Sequence, residues 1–253
     1  EALDRLSTLQ PPDAADAAML HTQLAMALAN TGQVAAAHQR LRDALRLVPD
    51  HAPARLARAR LLQVEGDRAG ATNVVQEVLR REPGHALAWV QQGDLYAASP
   101  GGGASAAEAY RRALATEPGL LAAHGALVVS LLRGGDPAQA RAAWQAMSKT
   151  HPGNGTTVYL GALLSLMEGQ PDRARAALQQ LLKAGGDTPQ VLVLAGQSEL
   201  QQGALAQAQA YFGKAMAAAP TQPVPRQHLA MVMLHRGQPR AALDVLQPLL
   251  AGP

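Results

Sequence analysis

The sequence predicts an all-α solenoid of stacked helix pairs, on three observations: alanine in place of aromatics, glycines on a 34-residue period, and a column of prolines between them. Of 253 residues, 54 are Ala and only seven are Phe, Tyr or Trp. Seven large rings do not fill one thick core, whereas Ala combines the highest helix propensity with a volume small enough for helix backbones to approach closely. The glycines are Gly32, Gly66, Gly135, Gly169, Gly203 and Gly237, spaced 34, 69, 34, 34 and 34, the 69 being two periods plus one inserted residue. Pro49, Pro83, Pro118, Pro152 and Pro220 end units, because Pro cannot continue a helix, and Gly186 stands where a sixth Pro is expected. A fixed period of this length signals an array whose units bury their apolar faces only by stacking.

Taken in order, residues 1–17 read as the end of a preceding repeat, with Leu3, Leu6 and Leu9 as a stripe running into Pro11 and Pro12. Residues 18–51 carry a small residue midway along the first helix (Ala25), a turn at Gly32, a small residue opening the second helix (Ala37) and a larger one four positions on (Leu41). Residues 52–85 repeat this with Ala59, Gly66, Ala71 and Val75. Residues 86–120 hold Trp89, Gly93 and Tyr96, then Ala106, Tyr110 and Ala113, with the insertion in Ser99-Pro100-Gly101-Gly102-Gly103. Residues 121–154 use Leu131, Ala140 and Trp144, and residues 155–188 use Ala162, Ala174 and Leu178. Residues 189–222 show Leu192, Gly196, Ala208, Phe212 and Ala215, and residues 223–253 close with Ala230, Ala242 and Leu246. This order of large, small and large residues is the tetratricopeptide pattern. The expected architecture is therefore a right-handed superhelical solenoid of about seven helix-turn-helix repeats, continuous over 18–253. The small residues would let the two helices of a repeat cross closely, and the larger column would fill the space between neighbouring repeats. The last helix stops at Leu250 and Ala251 with no polar capping helix after it, so the expected whole is a longer protein or an end covered by a partner.

Chemistry is sparse. With no Cys, disulfides, Cys-zinc sites and thiol catalysis are excluded. Basic residues (22) nearly balance acidic ones (19) and are spread along the chain, unlike the clustered stripe that nucleic acid requires. His228 and His235 lie two turns apart on one helix with no acidic residue between them, too distant for one ion without a third ligand, and no metal is expected. Gly101-Gly102-Gly103 lacks the Gly-Lys-Ser/Thr of a phosphate loop and reads as a turn. No Gly-x-Ser-x-Gly elbow or His-Glu-x-x-His is present, so neither an enzyme nor a cofactor is expected.

What remains is a surface. In such solenoids the first helix of each repeat lines the concave face through positions two, five, nine and twelve. Those positions place Leu56, Arg60, Val90, Asp94, Val129, Leu132, Tyr159, Leu163, Leu166, Val193, Gln197, Leu200, Gln227, Met231 and Leu234 in the groove, after Met19, Thr22 and Met26 in the first repeat. The stripe is apolar with glutamines at its edges. A carboxylate clamp would need several Lys, Arg or Asn here, and Arg60 stands nearly alone; an asparagine ladder is absent, with only Asn30 in place. The inner face either packs on itself in a tightly wound superhelix or receives a hydrophobic helix or extended segment of a protein partner.

The later repeats carry a further resemblance. Thr157-Val158-Tyr159-Leu160-Gly161-Ala162-Leu163-Leu164, Val191-Leu192-Val193-Leu194-Ala195-Gly196, Ala208-Gln209-Ala210-Tyr211-Phe212-Gly213-Lys214-Ala215 and Arg236-Gly237-Gln238-Pro239-Arg240-Ala241-Ala242-Leu243 resemble the tetratricopeptide-repeat lipoproteins of the PEP-CTERM/exosortase system. Ala88-Trp89 with Gly93-Asp94-Leu95 is similar as well. The resemblance implies a periplasmic, outer-membrane-associated scaffold in exopolysaccharide assembly or export, or in sorting of surface proteins, with exopolysaccharide-export machinery as partner. It implies membrane attachment only through a lipid anchor outside this chain, since no anchoring Cys is present. The alternatives are a cytoplasmic adaptor or chaperone that reads a peptide motif, and the interaction arm of a larger enzyme such as a glycosyltransferase.

Overall fold

The computed structural model describes residues 13–250, and all regular structure among them is α-helical. The helices are α1 (Ala14–Asn30), α2 (Val34–Leu47), α3 (Ala52–Val64), α4 (Arg68–Arg81), α5 (Ala86–Ala97), α6 (Gly103–Thr116), α7 (Leu121–Arg133), α8 (Pro137–Thr150), α9 (Gly155–Met167), α10 (Pro171–Lys183), α11 (Pro189–Gln201), α12 (Leu205–Ala218), α13 (Pro223–His235) and α14 (Pro239–Leu250). They fall into two compact units, the first ending at Asp136 and the second starting at Pro137. The division lies between the two helices of the repeat expected over 121–154.

The chain is thus a series of helix-turn-helix repeats, as the periodicity predicts. Helix α1 begins at Ala14, ahead of the expected start at 18, because Asp13 caps it by accepting the Ala15 N–H at 2.9 Å. The stripe Leu3, Leu6 and Leu9, Pro11 and Pro12, and Ala251 lie outside the described residues.

The glycine and proline columns stop helices in two different ways. Gly32, Gly66, Gly135, Gly169, Gly203 and Gly237 all have φ between +69° and +88°, the left-handed conformation that closes a first helix. The following N–H then reaches back five residues, from Gln33 to the Leu28 carbonyl and from Asp67 to that of Leu62, each at 2.9 Å. Second helices instead end in an extended residue ahead of Pro: Val48, Glu82, Glu117 and Ala219. Helix α10, which lacks that Pro, ends like a first helix, with Gly185 at φ +80° and the Gly186 N–H on the Leu181 carbonyl at 2.9 Å. The carbonyls of the terminal prolines are taken up by the fourth residue of the next first helix. Arg55 donates to Pro49 at 2.9 Å, Trp89 to Pro83 at 2.7 Å and Arg226 to Pro220 at 3.3 Å, while His124 Nε2 lies 2.9 Å from the Pro118 carbonyl.

Within each unit the first helices form one layer. In the first unit α1 touches α3, α3 touches α5 and α5 touches α7; in the second, α9 touches α11 and α11 touches α13. No such contact joins successive second helices among the described residues. First helices therefore lie closer to one another than second helices do, which places them on the inside of the curve in each unit.

Close approach depends on glycine at three places. A Cβ on Gly93 would stand 2.5 Å from Tyr110 Cε1, one on Gly196 2.5 Å from Phe212 Cε1, and one on Gly161 2.6 Å from Trp144 Cζ2. This refines the expectation that the large column fills the gap between repeats. Trp144 does so, crossing to Gly161 of the next repeat and donating its Nε1–H to the Thr157 carbonyl at 2.8 Å. Tyr110 and Phe212 seat first on the glycine of their own repeat, and Phe212 then stacks on His228 of the next at 5.1 Å.

Polar pairs set the stacking register. His38 bonds Glu65 at 2.9 Å, Arg141 bonds Glu168 at 2.8 Å, and Arg236 bonds Gln209, each linking a second helix to the end of the next first helix. As partly exposed pairs they contribute specificity more than stability.

One buried side chain breaks the pattern. Gln92 is 2% exposed, and neither its Nε2 nor its Oε1 has a hydrogen-bond partner among the described residues. Leu24, Leu127 and Leu229 occupy the matching position in other repeats and are buried without such a cost. Gln92→Leu is expected to raise stability by about 1–2 kcal/mol, read as a higher urea midpoint at unchanged slope. A lower midpoint would show that the amide is satisfied.

Candidate functional site

The inner layer of first helices holds every groove residue expected from the sequence, but at very different depths. Arg60 (α3), Gln227 and Leu234 (α13) are exposed, Leu234 by 54%. Val90 and Asp94 on α5, Val129 and Leu132 on α7, Tyr159 and Leu163 on α9, Val193, Gln197 and Leu200 on α11, and Met231 on α13 are half-buried. Leu56 and Leu166 are not groove residues in this sense, at 8% and 5% exposed. Leu56 packs with Ala59, Val75 and Val78, and Leu166 with Ala162, Leu178 and Leu194, so both belong to the packing between repeats and neither can contact a partner without unfolding. Thr22 is likewise buried, its hydroxyl bonded to the Ala18 carbonyl at 2.7 Å.

In the first unit the tertiary fold adds a group that the groove positions do not include. Tyr110, on the second helix α6, passes over Gly93 and donates its hydroxyl to Asp94 Oδ1 at 2.8 Å. Burial raises the Asp94 pKa, and the Tyr110 hydrogen bond and the Arg60 charge partly offset it. The Tyr110 phenol is pushed well above its ordinary value, by burial first and by Asp94 second, and stays neutral. A tyrosine where other repeats carry Leu, Val, Trp or Phe was the available signal for this contact.

In the second unit, Gln197 Nε2 lies 3.2 Å from His228 Nε2, and the same imidazole stacks on Phe212. Burial lowers the His228 pKa, so the ring is neutral at pH 7. His228 is a groove-layer packing residue in this arrangement, and among the described residues no three His, Asp or Glu side chains gather to hold a metal. Glutamines also tie first helices together: Gln91 donates to the Leu56 carbonyl at 3.1 Å and Gln201 to that of Leu166 at 3.4 Å.

At the edge of the same unit, the start of α9, the end of α10 and the start of α11 border an open cavity of about 350 Å³. Tyr159, Leu181, Gly186 and Val191 line it, with Gly155 leaving it open and Thr156 and Gln190 exposed on its rim. Burial raises the Tyr159 pKa. Tyr159 was legible as a groove aromatic; the cavity was not, because it forms where three helix ends meet.

Among the described residues no helix is long and apolar enough to cross a membrane. Residues 27–98 and 199–252 match the tetratricopeptide repeat, as do residues 159–223 with a second form of it. No curated protein sequence matches the chain. Solved structures share the fold. PilW, a widely conserved type IV pilus biogenesis factor, is 21% identical with a TM-score of 0.69, covering 79% of this chain and 93% of its own. PilF of Pseudomonas aeruginosa is 19% identical with a TM-score of 0.70, covering 86% and 99%. The anaphase-promoting-complex Cut9–Hcn1 hetero-tetramer is 15% identical with a TM-score of 0.79, covering 92% of this chain and 46% of that one. Helix pairs at a regular spacing, left-handed glycines after each first helix, small residues at each crossing and the matched segments together show that the chain belongs to the tetratricopeptide-repeat family.

Proposed function

We propose that the chain is a non-enzymatic scaffold that captures a protein partner along its inner face in the envelope of a Gram-negative bacterium, serving exopolysaccharide assembly or export or the sorting of PEP-CTERM proteins. Membership of a repeat family that scaffolds protein interactions supports the general role. The observation that carries the site is the apolar run on touching first helices of the second unit. Leu163, Val193, Leu200 and Met231 each leave part of their surface open, and Leu234 leaves most of it. Covering that surface contributes about 25 cal/mol per Å² before association costs. The envelope setting draws support from the sequence motifs of the last three repeats and from a fold shared with a pilus biogenesis factor.

The test uses residues that the fold does not need. Met231→Lys with Leu234→Glu should cut capture of the partner from envelope extract by about tenfold or more while helical circular dichroism is kept, which corresponds to roughly 1.4 kcal/mol. Unchanged capture would overturn the groove assignment. Capture from cytosolic extract alone would instead favour a cytoplasmic adaptor.

A further inference from the structure

We propose that the cavity between α9, α10 and α11 seats one uncharged aromatic side chain, tryptophan or tyrosine, projecting from the partner segment. The inference deepens the inner-face reading and rests on it for the partner, but the cavity can be tested by itself. Its volume of about 350 Å³ is at the low end of the range for ligand sites, enough for one ring system and too little for a helix face. The floor is apolar, made by Leu181, Val191 and the Tyr159 ring. Gly155 keeps it deep: a Cβ there would come within 3.7 Å of Leu181 Cδ2, in ordinary contact, so a side chain at 155 would enter the space without striking backbone.

The polar groups narrow the choice of occupant. Thr156, Tyr159 and Gln190 make no side-chain hydrogen bonds to the described residues, so each can bond a group that enters. None of the lining residues carries a charge at neutral pH, and a charged ligand would give up part of its hydration with no counter-charge in return. An aliphatic side chain would fill the floor and leave the polar rim unused. An indole or phenol satisfies both, with an apolar body and one hydrogen-bonding edge, which is why such side chains anchor protein interfaces.

The experiment is an amide-resolved NMR titration of the full chain with N-acetyl-L-tryptophanamide. Saturable shifts at Gly155, Thr156, Gly186 and Val191 are expected, with a Kd on the order of 1 mM for a single side chain. N-acetyl-leucinamide should bind about fivefold more weakly, and the aspartate analogue should give no saturable shift. Gly155→Leu should abolish the shifts. Tyr159→Phe, which removes only the hydroxyl, should weaken binding about fivefold and serves if Gly155→Leu fails to fold. Scattered or non-saturating shifts, equal binding of the leucine analogue, or unchanged binding in both variants would overturn the proposal. So would binding of free indole without the blocked tryptophan, which would make the cavity a site for a small aromatic molecule. The Met231 and Leu234 variant should bind the probe normally, so failure of partner capture and failure of cavity binding are told apart.

Discussion

Phe212→Ala is expected to destabilise the second unit by about 3–5 kcal/mol, the usual cost of emptying a buried aromatic site. Phe212 is wholly buried, lies against Gly196 on one side and stacks on His228 on the other, so truncation opens a cavity at the crossing of one repeat and removes its contact with the next. Collapse into that space is limited because α11, α12 and α13 are all held by their own neighbours. The partner residue gives the decisive control. Gly196→Ala in the unaltered protein should cost about 1–3 kcal/mol, because its Cβ falls 2.5 Å from a ring that is wholly buried and stacked on His228. In the Phe212→Ala background the same change should be neutral or stabilising by about 0.5–1 kcal/mol, since the clash is gone and Ala is the better helix former. Urea unfolding followed through Trp144, with Trp89 changed to Phe so that the first unit is silent, measures each corner of this cycle. Additive effects would show that the ring and the glycine do not meet.

Leu166→Glu should be comparably destructive, at about 4–5 kcal/mol, because it removes a packed side chain and places a carboxylate among Ala162, Leu178, Val191 and Leu194. Leu234→Glu, twelve positions into its own repeat like Leu166, should change stability by no more than about 0.5 kcal/mol. The two leucines hold the same repeat position, and only their surroundings differ. Thermal unfolding of the two variants side by side is the measurement; a similar melting temperature for both would remove the distinction drawn between core and groove. Leu166 is therefore unsuitable for testing partner capture, since loss of binding would follow from loss of fold.

The repeat and its turns were readable because they are local. A left-handed residue after a first helix needs Gly, and an extended stop after a second helix suits Pro, so both recur at the period of the unit. The small residues at each crossing were readable for the same reason, but Gly161 was not: it stands one position before the small column and is needed only because Trp144 arrives from the preceding repeat. Position in the repeat also found the inner layer. It did not find depth, because Leu56 and Leu166 depend on how closely the adjacent first helix packs, as Gln91 and Gln201 show by bonding to the carbonyls of those two residues.

By itself, then, the sequence determined that this protein is a helical repeat array, where each helix stops, which residues let the helices cross, and that no cysteine chemistry is available. Tertiary structure alone decided which inner-face side chains remain open, that Tyr110 reaches Asp94 and that His228 lies on Phe212. It alone formed a cavity beside Tyr159. The physical reason is range. Helix ends are fixed by residues a few positions apart, whereas exposure, hydrogen bonds between helices and cavities depend on side chains that different helices bring together, which no residue encodes alone.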